Sequence, residues 1–452
     1  MAVIDYLKSN RERHLQELFA FLRIPSISAK SEYREQTRQA ADWLVERMLE
    51  AGLQIAEVIP TAGHPIVIGE WRGAPEGAPT LLVYGHYDVQ PPEPLEEWTS
   101  EPFEPEVRDG KIFARGSVDD KGQVYLHLKA VEAHIAANGK LPVNLVFVVE
   151  GEEEIGSPNL QSFLVENQER LRCDAVMISD TTMFAPDLPS VTIGLRGLAY
   201  MEIRVQGPET DLHSGSYGGA VVNPANALAK IIARLHDDHG RVAVPGFYDD
   251  VRDLTPEERE AVRALPFSDE EFRAGVNAPA LGGEEGWSVL ERLGARPTLD
   301  VNGLLSGYTG EGAKTVLPAR AMAKVSMRLV PNQDHRDIEE KFIRYVREIA
   351  PAGVTVEVEA LHGGQPWYAD PKEPIFTSAA RALEKAFGRA PVFTREGGSI
   401  PIVQAFQQIF SAPVVLLGFG LPGENAHAPN EWMSVDNYTR GAEAIAMLYD
   451  EL

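Results

Sequence analysis

Hydrophobic residues near the start of the chain follow two spacings, which predict helices and short strands in turn. Helical spacing covers residues 6–22 and 35–51. Short runs, several of them almost entirely apolar, are typical of strands buried on both faces and lie at residues 65–71, 80–85, 143–149 and 174–178. The pattern returns near the end, with a helix at 374–387, a strand at 413–418 and a helix at 435–452. These segments predict an α/β domain with a mostly parallel central sheet and helices on both faces.

Between residues 196 and 364 the pattern is different, because apolar and polar positions alternate along the strands. Alternation at residues 199–205 predicts a strand with one face in water. After it we predict a helix at 223–235, a strand at 321–330, a helix at 334–349 and a strand at 354–360. This order resembles a small ferredoxin-like α+β sandwich, and residues 240–315, rich in Pro, Gly and acidic residues, read as an elaboration within it. We therefore predict one domain from residues 1–195 and 365–452, with residues 196–364 inserted into it.

Composition and charge exclude several classes of partner. The chain has 42 Lys and Arg against 67 Asp and Glu, a formal net charge of −25 that would repel nucleic acid phosphates and anionic lipid headgroups. The single cysteine, Cys173, excludes an intramolecular disulfide and fits a reducing compartment, so we expect a cytoplasmic protein. The first residues lack the apolar run of a signal peptide, and no stretch of about 18 apolar residues could span a bilayer. We expect neither nucleic acid nor membrane as a partner.

Acidic residues and histidines follow several of the predicted strands. They are His86 and Asp88 after residues 80–85, Asp119 after a shorter run at 111–114, Glu153 and Glu154 after 143–149, Asp180 after 174–178, and His427 after 413–418. Each signal alone is weak, because such residues are more often structural or solvated. Ligands of open α/β sheets bind beyond the carboxyl ends of the strands, so these side chains could converge. Imidazole and carboxylate are what zinc accepts, and two cations about 3.5–4 Å apart need a bridging carboxylate.

The motifs that carry these residues resemble, in order and spacing, a known superfamily. They are YGHYDVQP at residues 84–91, ARGSVDDKGQ at 114–123, EGEEEIGS at 150–157, SD at 179–180, DLHSG at 211–215, GAKTVLP at 312–318 and NAHAPNE at 425–431. The chain is similar, over nearly its whole length, to the dinuclear zinc peptidases that include carnosinase, cytosolic non-specific dipeptidase, glutamate carboxypeptidase and succinyl-diaminopimelate desuccinylase. The series GAKTVLP, SMRLVPN, HGGQPW and GGSIP favours the dipeptidase branch.

The resemblance implies two Zn²⁺ per subunit, with Mn²⁺ or Co²⁺ as alternatives. One cation would be held by His86, Asp119 and Asp180 and the other by Asp119, Glu154 and His427, with Asp119 as the bridge. It also implies a cis peptide bond between Asp119 and Asp120. The first and last parts of the chain would form the catalytic domain, and the inserted part a lid and dimerisation domain.

Catalytic and substrate-binding roles follow from the same resemblance. Glu153 is the expected general base and acid, because it neighbours a ligand yet stays free to accept a proton. Asp88 would orient the imidazole of His86. In the dimeric members the counterpart of His213 donates to the oxyanion in the other subunit, which implies a homodimer. Substrate-contacting positions match Arg328, whose guanidinium would grip a terminal carboxylate, and Thr315 and Ser399.

The sequence thus predicts metal-dependent hydrolysis of dipeptides or short peptides with a free carboxyl end. An N-acyl amino acid deacylase or desuccinylase shares the metal site, so this alternative stays open. A non-catalytic binding protein on the same fold is the alternative of another class, although all ligands and Glu153 are present. A dinuclear phosphoesterase is disfavoured, because only Lys121 and Arg115 lie near the metal motifs to receive phosphate.

Overall fold

The protein is described here by a computed structural model that covers residues 2–398 and 400–452. Its α-helices are α1 (Val3–Ser9), α2 (Arg11–Leu22), α3 (Arg34–Glu50), α4 (Lys121–Asn138), α5 (Leu160–Glu166), α6 (Ser214–Tyr217), α7 (Pro224–Ile232), α8 (Pro256–Arg263), α9 (Asp269–Gly275), α10 (Val289–Ala295), α11 (His335–Ile349), α12 (Pro374–Phe387), α13 (Pro401–Phe410) and α14 (Val435–Glu451). Short 3-10 helices cover Ser31–Tyr33, Leu95–Glu97 and Glu153–Ile155. Within the described residues, none of these helices has both the length and the apolar surface to cross a bilayer.

The strands fall into one large sheet and three smaller ones. They are β1 (Ile55–Ile59), β2 (Ile66–Trp71), β3 (Thr80–His86), β4 (Glu106–Arg108), β5 (Lys111–Phe113), β6 (Asn144–Glu150), β7 (Ala175–Ile178), β8 (Ser190–Leu195), β9 (Gly197–Gln206), β10 (Leu212–His213), β11 (Thr298–Ser306), β12 (Val316–Leu317), β13 (Arg320–Leu329), β14 (Thr355–Gly364), β15 (Trp367–Tyr368), β16 (Val392–Glu396), β17 (Val414–Leu416) and β18 (Trp432–Ser434). The chain divides into two compact units, one of residues 1–193, 369–394 and 405–452 and the other of residues 194–368 and 395–404.

The first unit is built on the large sheet, in which the strands run in the order β1-β2-β6-β3-β7-β17-β8. The four central strands, β6, β3, β7 and β17, pair in parallel, whereas β1, β2 and β8 join antiparallel. Every residue of β2, β7 and β8 is buried, because both faces of the sheet are covered. The prediction of a mostly parallel central sheet is therefore confirmed, and the departures from parallel pairing lie towards its edges.

A three-stranded sheet of order β18-β5-β4 lies in the same unit, and α4 follows β5 along the chain. The loop between β5 and α4 contains Asp119 and Asp120, and the peptide bond that joins them is cis, as the resemblance implied. Helix α4 is buried over most of its length and contacts α14, α1 and α2.

The second unit contains an antiparallel sheet of order β11-β13-β9-β14. Helices α7 and α11 pack on one face of it, where Met201, Ile203, Phe342 and Val325 belong to a common apolar core. Along the chain these elements read β9-α7-β11-β13-α11-β14, which is the ferredoxin-like arrangement. Asn223 caps α7 by accepting from the amide of Ala225, and Pro224 occupies its first turn.

Three details differ from the sequence-based prediction. The helix predicted over residues 6–22 is two helices, because Asn10 leaves helical geometry and its side-chain amide donates to the Tyr6 carbonyl at 2.9 Å. The stretch 240–315 is not a simple elaboration, since it contains α8 to α10 and supplies β11 to the sheet. Residues 395–404, which the predicted boundaries assign to the first domain, group with the second unit. The reason is local: Arg196 donates to the Gly397 carbonyl at 3.2 Å, and Arg395 pairs with Glu258 at 2.7 Å.

Candidate metal centre

The candidate site lies in the first unit, at the carboxyl ends of its four parallel strands. His86 is the last residue of β3, and Asp180 lies two residues beyond β7. Glu153 and Glu154 form a 3-10 helix just after β6, and His427 lies in the loop that follows β17. Because neighbouring parallel strands end at one edge of the sheet, these separate segments meet there.

Two groups of side chains form at this edge, and Asp119 belongs to both. In one group the Nε2 atom of His86 is 3.1 Å from Asp119 Oδ1 and 3.9 Å from Asp180 Oδ2. In the other, Nε2 of His427 is 2.8 Å from Asp119 Oδ2 and 3.2 Å from Glu154 Oε2. Within each group the candidate ligand atoms lie within 4.8 Å of one another. Each carboxylate oxygen of Asp119 thus faces a different histidine.

This set of donors fits divalent cations in both chemistry and charge. Imidazole nitrogen and carboxylate oxygen are ligands that zinc and related metals accept. Burial and the neighbouring Asp119 raise the pKa of Asp180 well above its usual value, because crowded carboxylates resist ionisation together. Cations between the carboxylates would remove that penalty. His86 is fully buried, whereas the side chain of His427 is 58% exposed, so the second group is open to solvent.

Cation uptake by the metal-free protein at pH 7 should release protons. Burial would lower the pKa of His86, but hydrogen bonds with Asp119 and Asp88 raise it well above the usual value. Hydrogen bonds with Asp119 and Glu154 raise the pKa of His427 to about 10. These raised pKa values favour the protonated imidazoles in the metal-free protein, and a histidine must be neutral to bind a metal. Calorimetry in buffers of different ionisation enthalpy measures the release. We expect about one proton from each histidine, and apparent affinity that rises with pH. A heat of binding that is the same in every buffer would contradict this expectation.

Asp88 joins two of the segments that carry candidate ligands. Its carboxylate accepts the backbone N–H groups of Glu153 at 3.2 Å and Glu154 at 3.1 Å. Nδ1 of His86 lies 3.1 Å from the Asp88 carbonyl oxygen and 3.3 Å from its carboxylate. The imidazole can therefore donate from Nδ1 to Asp88 while Nε2 points at Asp119, which is the orientation that metal binding needs.

Glu153 stands beside the ligand groups without belonging to either of them. Burial raises its pKa to about 7, and the negative charges of Glu154, Asp119 and Asp88 add to the effect against the opposing influence of His86. A carboxyl group with this pKa changes protonation readily near neutral pH, which suits a residue that accepts and returns a proton.

Gln90 contacts the candidate ligand Glu154, and the sequence analysis did not identify it. Its backbone N–H donates to Glu154 Oε1 at 3.1 Å, and its side-chain amide donates to Glu154 Oε2 at 2.8 Å. Both oxygens of this candidate ligand are thereby held. The only signal in the sequence is the position of Gln90 inside YGHYDVQP, four residues after His86.

In the second unit, β10 and β12 bring His213 and Thr315 together. His213 pairs with Val316, and the next amide, that of Ser214, donates to the Thr315 carbonyl at 3.1 Å. Nδ1 of His213 accepts the backbone N–H of Gly215 at 3.0 Å. A backbone amide can only donate, so in the neutral ring the hydrogen is on Nε2. The exposed side of this ring is therefore a hydrogen-bond donor.

Arg328 lies on β13, where it is paired with Leu198 and Thr298 on the face opposite the apolar core. Burial and the nearby positive charge of Arg328 lower the pKa of Arg196 to about 10 against the opposing negative charge of Asp300, so the two guanidinium groups lie close enough to interact. The predicted substrate-contacting residue Ser399 lies outside the described residues.

Similarity to known proteins extends over nearly the whole chain. The family described as Peptidase family M20/M25/M40 matches residues 82–451. The Cys-Gly metallodipeptidase DUG1 of Candida albicans is 33% identical, covering 98% of this chain and 95% of that protein. The human Beta-Ala-His dipeptidase is 31% identical, covering 100% of this chain and 92% of that protein. The solved structure of the M20 family metallo-carboxypeptidase Sso-CP2 from Sulfolobus solfataricus is 35% identical, with a TM-score of 0.83, covering 97% of this chain and 99% of that one.

Proposed function

Because the chain belongs to peptidase family M20/M25/M40 and is a metallopeptidase of the dipeptidase branch, we propose that it hydrolyses dipeptides and short peptides with a free carboxyl end. The observation that carries this proposal is the pair of ligand groups that share Asp119, with Glu153 beside them. The names of its relatives point to dipeptide and carboxypeptidase substrates. A buried lone cysteine, Cys173, supports a cytoplasmic location as part of the same proposal.

We infer that the resident cations are two zinc ions, with manganese or cobalt as alternatives. His86, Asp119 and Asp180 would hold one of them, and Asp119, Glu154 and His427 the other. When bound, such cations would polarise the substrate carbonyl group and lower the pKa of a water molecule at the site.

Glu153 performs the proton transfers in this proposal. Its carboxylate takes a proton from the attacking water, whose oxygen forms a bond to the scissile carbonyl carbon. When the C–N bond breaks, the protonated Glu153 carboxyl gives that proton to the leaving amine. Asp88 accepts the backbone N–H of Glu153 and so fixes the backbone at this residue, whose carboxylate belongs to neither ligand group.

The reaction class can be tested with a panel of substrates. The panel contains dipeptides, the same dipeptides amidated at the carboxyl end, and N-acyl amino acids, each with added Zn²⁺ or Mn²⁺ and with a chelator. We expect hydrolysis of the free dipeptides that chelation abolishes. Preferred cleavage of N-acyl amino acids would favour the deacylase alternative, and metal-loaded protein that cleaves nothing would favour a binding protein.

Phosphate esters are poor candidate substrates, because Arg115 is bound to Glu431 and Lys121 to the carbonyls of Phe21 and Ile24.

Arg328→Ala should raise KM for dipeptides with a free carboxylate by about 10- to 100-fold, because a charge-assisted bidentate pair is lost. The metal content should not change, and neither should the KM of amidated dipeptides. Lys324→Ala is the matched control, since Lys324 lies on the same face of β13 and pairs with Glu202 at 2.9 Å. Steady-state kinetics on the paired substrates measures both effects. Equal KM values for Arg328→Ala and the unmodified protein would remove Arg328 from the site.

A homodimer is also part of the proposal. The exposed Nε2–H of His213 supports it, because this donor suits an oxyanion in the partner subunit. The edge strand β11 supports it as well, since Leu304 is 60% exposed and Leu305 is 55% exposed there. Activity per chain should fall on dilution as light scattering records dissociation, and fully active monomers would refute this part of the proposal.

A further inference from the structure

The carboxylate of Glu431 is fully buried and accepts four hydrogen bonds from one loop. Oε1 accepts the backbone N–H groups of Val118 at 2.9 Å and Asp119 at 3.2 Å. Oε2 accepts the N–H of Gly116 at 2.9 Å and Nη1 of Arg115 at 2.8 Å. More than 300 positions separate Glu431 from these residues in the sequence, so the contacts fix the fold of the loop that presents Asp119.

Glu431 also lies in the segment that carries His427, four residues earlier. The backbone of this segment joins the same loop, because the Ala114 N–H donates to the Glu431 carbonyl at 3.2 Å. Arg115 extends the connection, since its Nη2 donates to the Pro91 carbonyl at 3.3 Å, in the segment that begins at His86. One buried ion pair therefore links three segments that carry candidate metal ligands.

We propose that Glu431, paired with Arg115, is a positioning residue that sets the spacing between Asp119 and His427 before any cation binds. Glu431 itself is not a ligand, because both of its oxygens already accept from the 115–119 loop. This inference rests on the proposed metal centre. Its consequence is that part of the cation affinity resides in a carboxylate that never touches the cation.

The substitution Glu431→Gln separates this role from simple filling of space. Glutamine has nearly the same volume, but one of its oxygens is replaced by an NH₂ group. That group would face two N–H donors, so two hydrogen bonds are lost and donors meet donors in a buried position. If Glu431 only fills space, Glu431→Gln should behave like the unmodified protein. If it positions the loop, the loop should shift.

The experiment is a zinc titration of metal-free protein against a chromophoric chelator, with hydrogen–deuterium exchange of the same samples. We expect Glu431→Gln to bind zinc about 10- to 100-fold more weakly, as for other residues that orient ligands from outside the coordination sphere. The amides of Gly116, Val118 and Asp119 should exchange faster in the metal-free state. Glu424→Gln is the matched control, since Glu424 is also buried in this region but accepts from Ser434 instead, and its zinc affinity should be unchanged.

Zinc affinity of folded Glu431→Gln within about threefold of the unmodified protein, with unchanged amide exchange, would overturn the inference. Thermal unfolding of the metal-free samples establishes which variants are folded. If Glu431→Gln does not fold, Glu431→Asp is tested instead, because aspartate keeps the charge but is too short to satisfy all four donors. A zinc affinity of Glu431→Asp equal to that of the unmodified protein would also overturn the inference. Failure of the unmodified protein to bind zinc would refute the proposed metal centre itself, whereas normal binding by both proteins refutes only the role of Glu431.

Discussion

Asp119→Ala should remove both cations and reduce turnover below detection. Each oxygen of this carboxylate faces a different histidine, Oδ1 towards His86 at 3.1 Å and Oδ2 towards His427 at 2.8 Å. Losing the carboxylate would take one ligand from each group and would leave the two proposed cations without a shared negative charge between them. Elemental analysis of the purified variant, with activity measured at added Zn²⁺, tests both expectations.

Asp180→Ala is the control variant for Asp119→Ala. Asp180 belongs to one group only, so this variant should keep the cation of the other group and bind about half as much metal. If Asp119→Ala and Asp180→Ala retained the same amount of metal, Asp119 would not be shared. Two cations per chain in Asp119→Ala would show that the two groups are not the metal site.

The elements that carry the site were predictable because their sequences are unambiguous. Strands β3, β6 and β7 are short apolar runs buried on nearly every residue, and the observed bounds differ from the prediction by one residue. The residues that directly follow neighbouring parallel strands lie at the same edge of the sheet. The convergence of His86, Asp180 and the 3-10 helix after β6 was therefore accessible from sequence, although the distances were not.

Other elements were missed for physical reasons. Helix α4 has buried residues around nearly its whole circumference, so it lacks the polar stripe that marks an amphipathic helix. Strand β11 is an edge strand with exposed apolar residues, and its pattern therefore has no regular alternation. Glu431 and Gln90 look like ordinary surface residues in the sequence. Only the fold shows that their polar groups bind the loop of Asp119 and the carboxylate of Glu154.

Glu153→Gln should keep both cations and lower kcat by about 100- to 10,000-fold, the usual contribution of a general acid–base group. Glutamine occupies the same space, and Glu153 is in neither ligand group, so metal content should be unchanged. Its amide cannot accept a proton from water or return one to the leaving amine. Elemental analysis and steady-state kinetics on a dipeptide with a free carboxylate measure the two expectations separately.

The neighbouring Glu152 provides the matched control for this variant. Its carboxylate accepts from the backbone N–H of His64 at 3.0 Å and from the Asn159 amide at 2.7 Å, so Glu152→Gln should keep a kcat close to that of the unmodified protein.

The pH profile of kcat/KM provides a second test of the role of Glu153. Glu153 must be ionised to accept a proton, so kcat/KM should rise with pH through its pKa, which is about 7 without metal and lower once cations favour the ionised form. This acidic limb should disappear in Glu153→Gln. A Glu153→Gln variant with full turnover and the same acidic limb would transfer the general-base role to another residue.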